Sequence, residues 1–405
     1  MGAPSLEELR RVIRRIESRR PPRAAPEPVE RVVGGEVEET GEGPILVVRR
    51  AYPLAHRHGR FALAAALEAP LDVMSRVARA GAPLADPGRL LFLDTETTGL
   101  AGGTGTYALL VGAGRVEGDR FVVTQYFMRD LDEEPALLAS LAPLIAGASG
   151  LVTFNGTGFD LPLLETRFVL ARRRWPSTVP HLDLLRPARR VWGGSLPDCR
   201  LATLESEVIG LARADDVPGA LIPALYFDYL RSRRAGPLER VFAHNRDDVL
   251  SLVGLLGWFG RAVADEPADT LGAGERLGLG RLWEPFDLPR SLACYRAALD
   301  AGLDGALAQW TRLRLAAWEK RAARWEAACA LWKAASDAGA FDTRPWEELA
   351  KYHEHRARDF IAARAIVENA LGLARAAGAG PGVLEALSHR LDRLSRRLER
   401  DPGSR

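Results

Sequence analysis

Residues 89–99 read Arg-Leu-Leu-Phe-Leu-Asp-Thr-Glu-Thr-Thr-Gly, an apolar run followed directly by two acids and a glycine turn. A continuous apolar run is typical of a strand that is buried on both faces of a sheet. Because successive strand side chains point to opposite faces, Asp94 and Glu96 are expected to share one face. Leu91 and Leu93 then lie on the other face, within the core. Two neighbouring carboxylates repel each other unless a cation lies between them, so this stretch predicts both a core strand and a cation site.

The segments that follow this strand predict a mixed α/β sheet. Residues 106–116 and 121–127 are expected to form two strands joined by a tight turn, and 151–154 a further short strand. Helical periodicity covers three stretches, namely 133–147, 160–174 and 238–260. Neighbouring strands followed by strand and helix alternation describe a mixed sheet with helices packed on it.

The remaining stretches predict a linker before the sheet and a helical array after it. Residues 5–20 have the spacing of a short amphipathic helix, and 21–44 are rich in Pro, Gly and Glu, which is typical of a linker. Short extended pieces are expected over 45–70. Three segments of the tail align at offsets of 37 and 35 residues, close to the period of about 34 residues in tetratricopeptide repeats, namely 293–302, 330–339 and 365–371. The predicted domains are 1–44, 45–265 and 270–400.

The composition excludes several classes of protein. Hydrophobic residues make up 47% and charged residues 27% of the 405 residues, which is ordinary for a globular chain. Three widely spaced cysteines exclude a disulfide scaffold and a cysteine zinc site. The apolar runs fall short of the roughly 18 residues of a membrane span, and no secretory signal is recognised, so a cytoplasmic protein without membrane contact is expected. The net charge of +2 favours no class of partner by itself.

Two further aspartates extend the acidic pair into a set of four. Asp160 follows the strand at 151–154 and opens the next helix. Of the neighbours Asp247 and Asp248 we choose Asp248, because it shares its helix stripe with leucines, and an acid on a packed stripe is costly unless a metal or partner compensates it. Four carboxylates suit Mg²⁺ or Mn²⁺, and two such ions about 3.5–4 Å apart can hold a phosphodiester for hydrolysis by water. The set therefore predicts a metal-dependent site for phosphodiester hydrolysis.

Residues near these acids supply further candidates. His244 lies one helical turn before Asp248 on the same face, and histidine titrates near neutral pH, so it can serve as the base that activates water. The candidate substrate contacts are Thr97, Thr98, Gly99 and Asn155. A plain turn explains each of these four residues equally well. The alternative for Asp160 is a helix N-cap, and the alternative for His244 is a structural histidine.

Three short motifs carry a resemblance to a known family. They are Asp94-Thr95-Glu96 at the end of an apolar strand, Asn-Gly-Thr-Gly-Phe-Asp at 155–160, and His-Asn-Arg-Asp-Asp at 244–248. Together they resemble the DEDD exonuclease superfamily of the ribonuclease-H-like fold. Within it they resemble the YprB-type subgroup, in which such a domain precedes a tetratricopeptide-like tail. The resemblance covers 45–262 well and 270–375 loosely.

The resemblance implies a fold, an activity and a set of site residues. The expected fold is an α/β ribonuclease-H-like mixed sheet flanked by helices, followed by an all-α domain of helical repeats. The expected activity is 3′–5′ exonuclease hydrolysis at single-stranded ends of DNA or RNA with two Mg²⁺ or Mn²⁺ ions. The implied catalytic residues are four metal ligands and one base, namely Asp94, Glu96, Asp160, Asp248 and His244. The family normally has tyrosine four residues before the last aspartate or histidine five before it, so His244 combines the first spacing with the second residue type.

A second hypothesis is a non-catalytic adaptor. In it the α/β domain binds nucleic acid or only supports the fold, and the repeat tail does the biological work. The histidine at position 244 favours this hypothesis, whereas the presence of all four acids favours catalysis. In either case the tail is expected to scaffold a protein partner, because repeat arrays present concave binding faces.

Overall fold

The computed structural model describes residues 27–99, 103–176, 179–264, 271–337 and 340–400. The chain divides into two compact units. The first contains residues 1–187 and 198–267, and the second contains 188–197 and 268–405. The second unit thus includes a short segment that the predicted division had placed in the first domain. The helix predicted over 5–20 lies outside the described residues.

Strands of the first unit form one large sheet and one small hairpin. The strands are β1 (Glu36–Thr40), β2 (Gly43–Pro53), β3 (Arg57–His58), β4 (Phe61–Ala62), β5 (Leu90–Thr97), β6 (Ala108–Glu117), β7 (Arg120–Phe127), β8 (Gly150–Thr153) and β9 (His181–Asp183). The order across the seven-stranded sheet is β1-β2-β7-β6-β5-β8-β9, and β3 pairs with β4. Neighbours from β1 to β5 are antiparallel, whereas β5, β8 and β9 are parallel. The predicted mixed sheet is confirmed, and the acidic pair lies on an interior strand.

The linker predicted over 21–44 is wrong where the structure describes it. A short helix is followed by β1, which pairs along its length with β2. On β2, Ile45 and Val47 point into one core. Leu46 and Val48 point into the other core, so this strand is interior and β1 supplies the neighbour at its outer edge. The sequence did not predict β1, because a largely exposed, Glu-rich edge strand has no apolar pattern.

Helices cover both faces of this sheet. They are α1 (Val29–Val33), α2 (Leu71–Ala78), α3 (Glu134–Gly147), α4 (Asp160–Leu170), α5 (Leu185–Trp192), α6 (Leu201–Leu204), α7 (Ile222–Ser232) and α8 (Leu238–Ala262). On one face α3 and α4 pack against Leu91 and Leu93 of β5, as predicted for those leucines. On the other face α7 and α8 pack against Leu109 and Phe127. The three helices predicted from periodicity are confirmed as α3, α4 and α8, with shifts at their ends.

Two glycines in β6 let α8 approach the sheet closely. A Cβ atom added at Gly112 would lie 2.4 Å from Oδ1 of Asn245, and one added at Gly114 would lie 2.6 Å from Cγ1 of Val249. Packed interiors do not absorb such overlaps without moving the helix. Gly112 pairs with Asp94 on β5. The close approach therefore brings the polar face of α8 beside the acids of β5.

The second unit consists of helices from residue 273 onward. They are α9 (Ala273–Trp283), α10 (Leu288–Asp300), α11 (Gly305–Arg321), α12 (Trp325–Ser336), α13 (Thr343–Tyr352), α14 (Phe360–Ala376) and α15 (Pro381–Arg400). The aligned alanines of the predicted repeat, Ala298, Ala335 and Ala370, lie in α10, α12 and α14 and all have 0% exposure. The all-helical tail is confirmed, while its tetratricopeptide-like character stays a prediction. Every helix in the described residues falls short of the length or the apolar content that a membrane span requires.

Candidate metal centre

Two of the predicted acids and the predicted base meet where α8 covers the end of β5. Oxygen atoms of Glu96 and Asp248 and a ring nitrogen of His244 all lie within 4.8 Å of one another. Nε2 of His244 is 3.8 Å from Oε1 of Glu96 and 3.6 Å from Oδ2 of Asp248. The predicted shared face of His244 and Asp248 is therefore confirmed. These three side chains form the centre of the candidate site.

Asp94 is held beside this centre by an amide. Nδ2 of Asn245 donates to Oδ2 of Asp94 at 2.8 Å and to its carbonyl oxygen at 3.2 Å. Oδ1 of Asn245 accepts a hydrogen bond from Nε2 of Gln125 at 2.9 Å, and both amide residues are fully buried. The amide thus orients the carboxylate without neutralising it. Asn245 lies within the motif at 244–248, but the motif alone indicates no role for it, because its partner Asp94 lies 151 positions away.

Asp160 contacts the same strand from the start of α4. Oγ1 of Thr95 donates a hydrogen bond to Oδ1 of Asp160 at 2.6 Å. Asp160 lies outside the close group of three, but its charge acts on Asp94. The N-cap alternative for Asp160 is wrong, because Phe159 occupies that position and makes no side-chain cap. The hydrogen bond from Thr95 therefore fixes the side chain of Asp160. Together Asp94, Glu96, Asp160 and Asp248 are called the acidic cluster below.

Three of the predicted substrate contacts lie at the end of β5 and in the turn that follows it. Oγ1 of Thr97 donates to the carbonyl oxygen of Gly99 at 2.9 Å. Oγ1 of Thr98 accepts a hydrogen bond from the backbone amide of Tyr107 at 2.9 Å. These contacts organise the turn itself. A role in binding substrate stays a prediction for all three residues.

The fourth predicted substrate contact, Asn155, lies in the loop between β8 and α4. Its backbone is left-handed, with φ of 66°, and its backbone N–H donates to Oδ1 of Asp183 at 2.8 Å. The same carboxylate accepts hydrogen bonds from the backbone amides of Thr157 and Leu185, both at 3.1 Å. Asp183 therefore fixes the loop that leads to Asp160. Contact of Asn155 with substrate also stays a prediction.

Burial raises the pKa values of all four acids, and other carboxylates of the set raise those of Asp94 and Glu96 further. Burial raises the pKa of Asp94 well above its ordinary value, and the neighbouring carboxylates raise it further. Burial raises the pKa of Glu96 to about 8 and that of Asp160 to about 6. Burial also raises the pKa of Asp248, against the opposing effect of nearby cations. A divalent cation in this pocket would relieve the repulsion that keeps these acids from ionising together.

Arg213 is a cation that the sequence analysis did not identify. Its guanidinium pairs with the carboxylates of Asp248 and Glu205. Burial alone would lower the pKa of Arg213, but these two carboxylates outweigh burial and raise it. The loop between residues 209 and 219 positions it, and nothing local in that loop predicts a partner 35 positions away on α8. Arg213 therefore neutralises part of the charge of Asp248.

His244 is also contacted by a carboxylate that the sequence analysis missed. Nδ1 of His244 lies 2.7 Å from Oδ1 of Asp216, while Nε2 faces the acids. Burial alone would lower the pKa of His244, but the carboxylates of Asp248 and Glu96 outweigh it and raise the pKa above its ordinary value. The spacing of His244 to Asp248 predicted that the histidine would face the acids. The sequence assigned no role to Asp216, which lies with Arg213 in the loop between residues 209 and 219.

The neighbour of Asp248 on α8 has a different partner. The two carboxylate oxygens of Asp247 accept hydrogen bonds from Nε and Nη2 of Arg246, at 2.8 and 3.0 Å. Asp248, by contrast, joins Glu96 and His244. The burial argument made from the sequence thus selected the aspartate that the structure brings into the cluster.

Comparison with known proteins gives a family match and a relative for part of this chain. Residues 91–260 match the family model of the RNase_H superfamily. This part of the chain is an RNase H superfamily domain. The uncharacterized protein YprB of Bacillus subtilis (strain 168) is 38% identical over 209 residues, which are 50% of this chain and 50% of that protein. The chain therefore spans about half the length of the curated relative it matches.

The RNase H domain contains all the predicted metal ligands and the predicted base. Domains of this fold commonly use divalent metal ions. The donor set is mainly carboxylate oxygen, which suits a hard cation such as Mg²⁺ or Mn²⁺. In the described part of the chain, the cations that contact the four acids are Arg213 and His244. Because the acids outnumber these cations, the residues present fit a divalent ion.

Proposed function

We propose that this protein is a metal-dependent nuclease that hydrolyses phosphodiester bonds of nucleic acid. The observation that carries the proposal is the cluster of Glu96, Asp248 and His244, in which acids outnumber cations and whose carboxylates interact electrostatically with Asp94. The residues proposed to hold two Mg²⁺ or Mn²⁺ ions are Asp94, Glu96, Asp160 and Asp248. The proposed reaction is 3′–5′ exonucleolytic cleavage at single-stranded ends of DNA or RNA, which rests on the family resemblance.

His244 is proposed to act as the base in this hydrolysis. Divalent ions in such a site stabilise the charge that develops on the phosphoryl and leaving oxygens. Nε2 of His244 accepts a proton from the attacking water, whose oxygen forms the new bond to phosphorus. The bond from phosphorus to the leaving oxygen breaks, and that oxygen takes a proton from solvent. A phosphate monoester and a hydroxyl end result, and no covalent enzyme intermediate forms.

The turns that follow β5 and β8 are proposed to contact the terminal nucleotide. Thr97 ends the strand that carries two of the acids, Thr98 and Gly99 follow that strand, and Asn155 precedes the third acid. A nucleotide held there would present its phosphodiester to the acids. The helical unit is proposed to scaffold a protein partner, because the repeat array predicted from the sequence would present a concave binding face.

The test is degradation of end-labelled single-stranded DNA and RNA in Mn²⁺, in Mg²⁺ and in EDTA. We expect the wild-type protein to shorten the strand from a free 3′ end and to spare a strand whose 3′ end is blocked. Asp94→Asn should reduce the rate by about 10³-fold or more, since it removes a charge that would face the metal. The matched control is Asp119→Asn, because the side chain of Asp119 is 95% exposed in a turn of the same unit.

Two outcomes would contradict parts of this proposal. Equal and negligible degradation by the wild-type protein and Asp94→Asn would remove the nuclease activity and favour the non-catalytic adaptor. Cleavage of circular or 3′-blocked strands would retain the nuclease but remove the exonuclease assignment.

A further inference from the structure

Asp216 contacts His244 on the side that faces away from the acids. Its Oδ1 atom lies 2.7 Å from Nδ1 of His244, whereas Nε2 of the same ring faces Glu96 at 3.8 Å and Asp248 at 3.6 Å. We propose that Asp216 is a positioning residue, which holds the Nδ1–H tautomer of His244 and so directs the lone pair of Nε2 into the acidic cluster. This inference rests on the proposed nuclease function and extends it to a residue outside the acidic set.

The neighbours of Nδ1 decide which ring nitrogen carries the hydrogen. A neutral imidazole has one N–H group and one lone pair. Nδ1 has the carboxylate of Asp216 at 2.7 Å and the Nη1 donor of Arg213 at 3.3 Å. An N–H at Nδ1 satisfies the nearer carboxylate, which accepts hydrogen bonds and donates none. Nη1 of Arg213 has other acceptors, since it lies 3.4 Å from the carbonyl oxygen of His244 and 3.5 Å from Oδ2 of Asp216.

The loop that carries Asp216 is fixed by several hydrogen bonds. The guanidinium of Arg240 on α8 donates to the carbonyl oxygens of Asp215 and Asp216, both at 2.8 Å. Oδ1 of Asp216 also accepts the backbone amide of Val217 at 2.9 Å. These contacts anchor the loop to the same helix that carries His244. The distance between Asp216 and His244 is therefore set by the fold and not by side-chain freedom.

Asp216 can be replaced without a large effect on folding. Its side chain is 31% exposed and borders a cavity of about 480 Å³ that also reaches His244. Solvent can therefore hydrate a replacement side chain. Asparagine has nearly the same shape, and its amide can donate a hydrogen bond to an unprotonated Nδ1. Asp216→Asn should then favour the opposite tautomer, with the hydrogen on Nε2 and no lone pair toward the acids.

A related role must be separated from the proposed one. Histidines that bind metal also donate their other N–H group to a carboxylate, and loss of that carboxylate typically weakens metal binding by about 10–100-fold. A histidine that acts as base loses turnover instead. Metal affinity therefore distinguishes a base from a ligand at position 244.

The experiment compares Asp216→Asn with Asp215→Asn in the full chain. Asp215 is the adjacent aspartate, and its left-handed backbone, with φ of 59°, accepts asparagine well. We expect Asp216→Asn to lower kcat by about 10²-fold with little change in KM or in Mn²⁺ affinity, because base catalysis is lost and substrate binding is not. Asp215→Asn should match the wild-type protein in all three quantities.

A second readout does not depend on activity. In protein labelled with ¹⁵N-histidine, two-bond ¹H–¹⁵N spectra in EDTA, recorded at a pH where the ring is neutral, report the tautomer of His244. His244→Gln identifies its signals. We expect the hydrogen on Nδ1 in the wild-type protein and in Asp215→Asn, and a shift toward Nε2 in Asp216→Asn.

The outcomes separate this inference from the proposed function. If Asp216→Asn matches Asp215→Asn in kcat and in tautomer, the positioning role is wrong. If Mn²⁺ affinity falls together with kcat, His244 is a metal ligand and its role as base is wrong. If the wild-type protein degrades no nucleic acid, the proposed function fails, and the ¹⁵N spectra alone still decide whether Asp216 sets the tautomer.

Discussion

Buried acids occur in both units of the molecule, but they are compensated in different ways. In the helical unit Glu319 is 4% exposed, and its carboxylate pairs with Arg296 and Arg324. Its pKa is lowered, first by the hydrogen bond from Arg324. In the RNase H domain Glu96 is 8% exposed, and its charged contact is His244 at 3.8 Å. Burial there raises the pKa of Glu96 to about 8.

The difference shows that burial alone does not mark a functional acid. A buried carboxylate with two arginines is a structural ion pair, because its charge is neutralised within the fold. A cluster of acids with too few cations costs stability in the absence of a ligand, and such groups occur preferentially at functional sites. Glu354 of the helical unit supports the rule, since Arg390 and Arg393 contact its buried carboxylate. The shortage of cations, more than the number of acids, distinguishes the candidate metal centre.

The largest expected effect is on activity, and it tests which acids belong to the cluster. Asp248→Asn should lower nuclease activity by about 10³-fold or more, because it removes a charge from the proposed metal site. Asp247→Asn is the matched control, since Asp247 pairs with Arg246 outside the cluster. It should retain activity within about 3-fold, as substitutions away from special features usually do. Rates on end-labelled single strands measure both, and equal losses would mean that the cluster is wrongly assigned.

The second prediction concerns metal binding without activity. Mn²⁺ at about 100 times its dissociation constant should stabilise the wild-type protein by about 2.7 kcal/mol, because the ion binds only the folded state. Glu96→Gln should lose most of this effect, since the cluster then lacks one of its central oxygens. Thermal unfolding with and without Mn²⁺ measures it. Equal stabilisation of both proteins by Mn²⁺ would place the ion elsewhere in the chain.

The sequence was informative about the fold where a pattern is local. The apolar run before Asp94 predicted an interior strand, and periodicity predicted α3 and α8, because each signal lies within one element. The shared face of His244 and Asp248 followed from one turn of helix. β1 was not predictable, since an edge strand is specified by the strand it covers and not by its own side chains.

Of the site, the sequence predicted the four acids and His244 but none of the groups that contact them. Arg213 and Asp216 reach His244 and Asp248 from a loop that is 28 to 35 positions away, and no spacing rule connects them. Asn245 on α8 can reach Asp94 only because Gly112 on β6 has no side chain that would overlap it. Groups that orient or neutralise the acids are thus fixed by tertiary packing. The sequence alone predicts acids without partners. The structure adds the amide of Asn245, which orients Asp94, and the guanidinium of Arg213, which pairs with Asp248. It also adds the carboxylate of Asp216, which contacts His244.

The third prediction tests the structural ion pairs of the helical unit. Glu319→Gln should lower the stability of that unit by about 1–2 kcal/mol, because two arginines lose a charged partner but remain partly exposed to water. Tryptophan fluorescence during urea unfolding is a suitable probe, since most of the nine tryptophans lie in this unit. The exposed Glu326 gives the control, Glu326→Gln, which should be nearly neutral. The stabilisation by Mn²⁺ should be unchanged in both variants, and its loss in Glu319→Gln would show that the two kinds of acid are not independent.

The smallest expected effect is a pH dependence of opposite sign in the two units. The folded pKa of Glu96, about 8, lies above the ordinary value of 4.5, so the folded protein holds this proton more tightly than the unfolded chain does. Glu96 therefore costs no stability below about pH 4.5, and its cost grows as the pH rises toward 8. Glu319 has a lowered pKa, so its contribution is present above 4.5 and is lost as the pH falls through its folded value.

Thermal unfolding in EDTA between pH 4 and 8 measures this contrast. Glu96→Gln should equal the wild-type protein near pH 4 and exceed its Tm by roughly 2–4 °C near pH 8, because the glutamine carries no charge to bury. Glu319→Gln should instead fall below the wild-type protein above pH 4.5 and approach it as the pH falls below that value. Saturating Mn²⁺ should reverse the order for Glu96→Gln, since the bound ion then stabilises the wild-type carboxylate. A Glu96→Gln protein that is less stable than the wild type at pH 8 in EDTA would mean that the metal-free cluster is already neutralised, and the contrast between the two units would disappear.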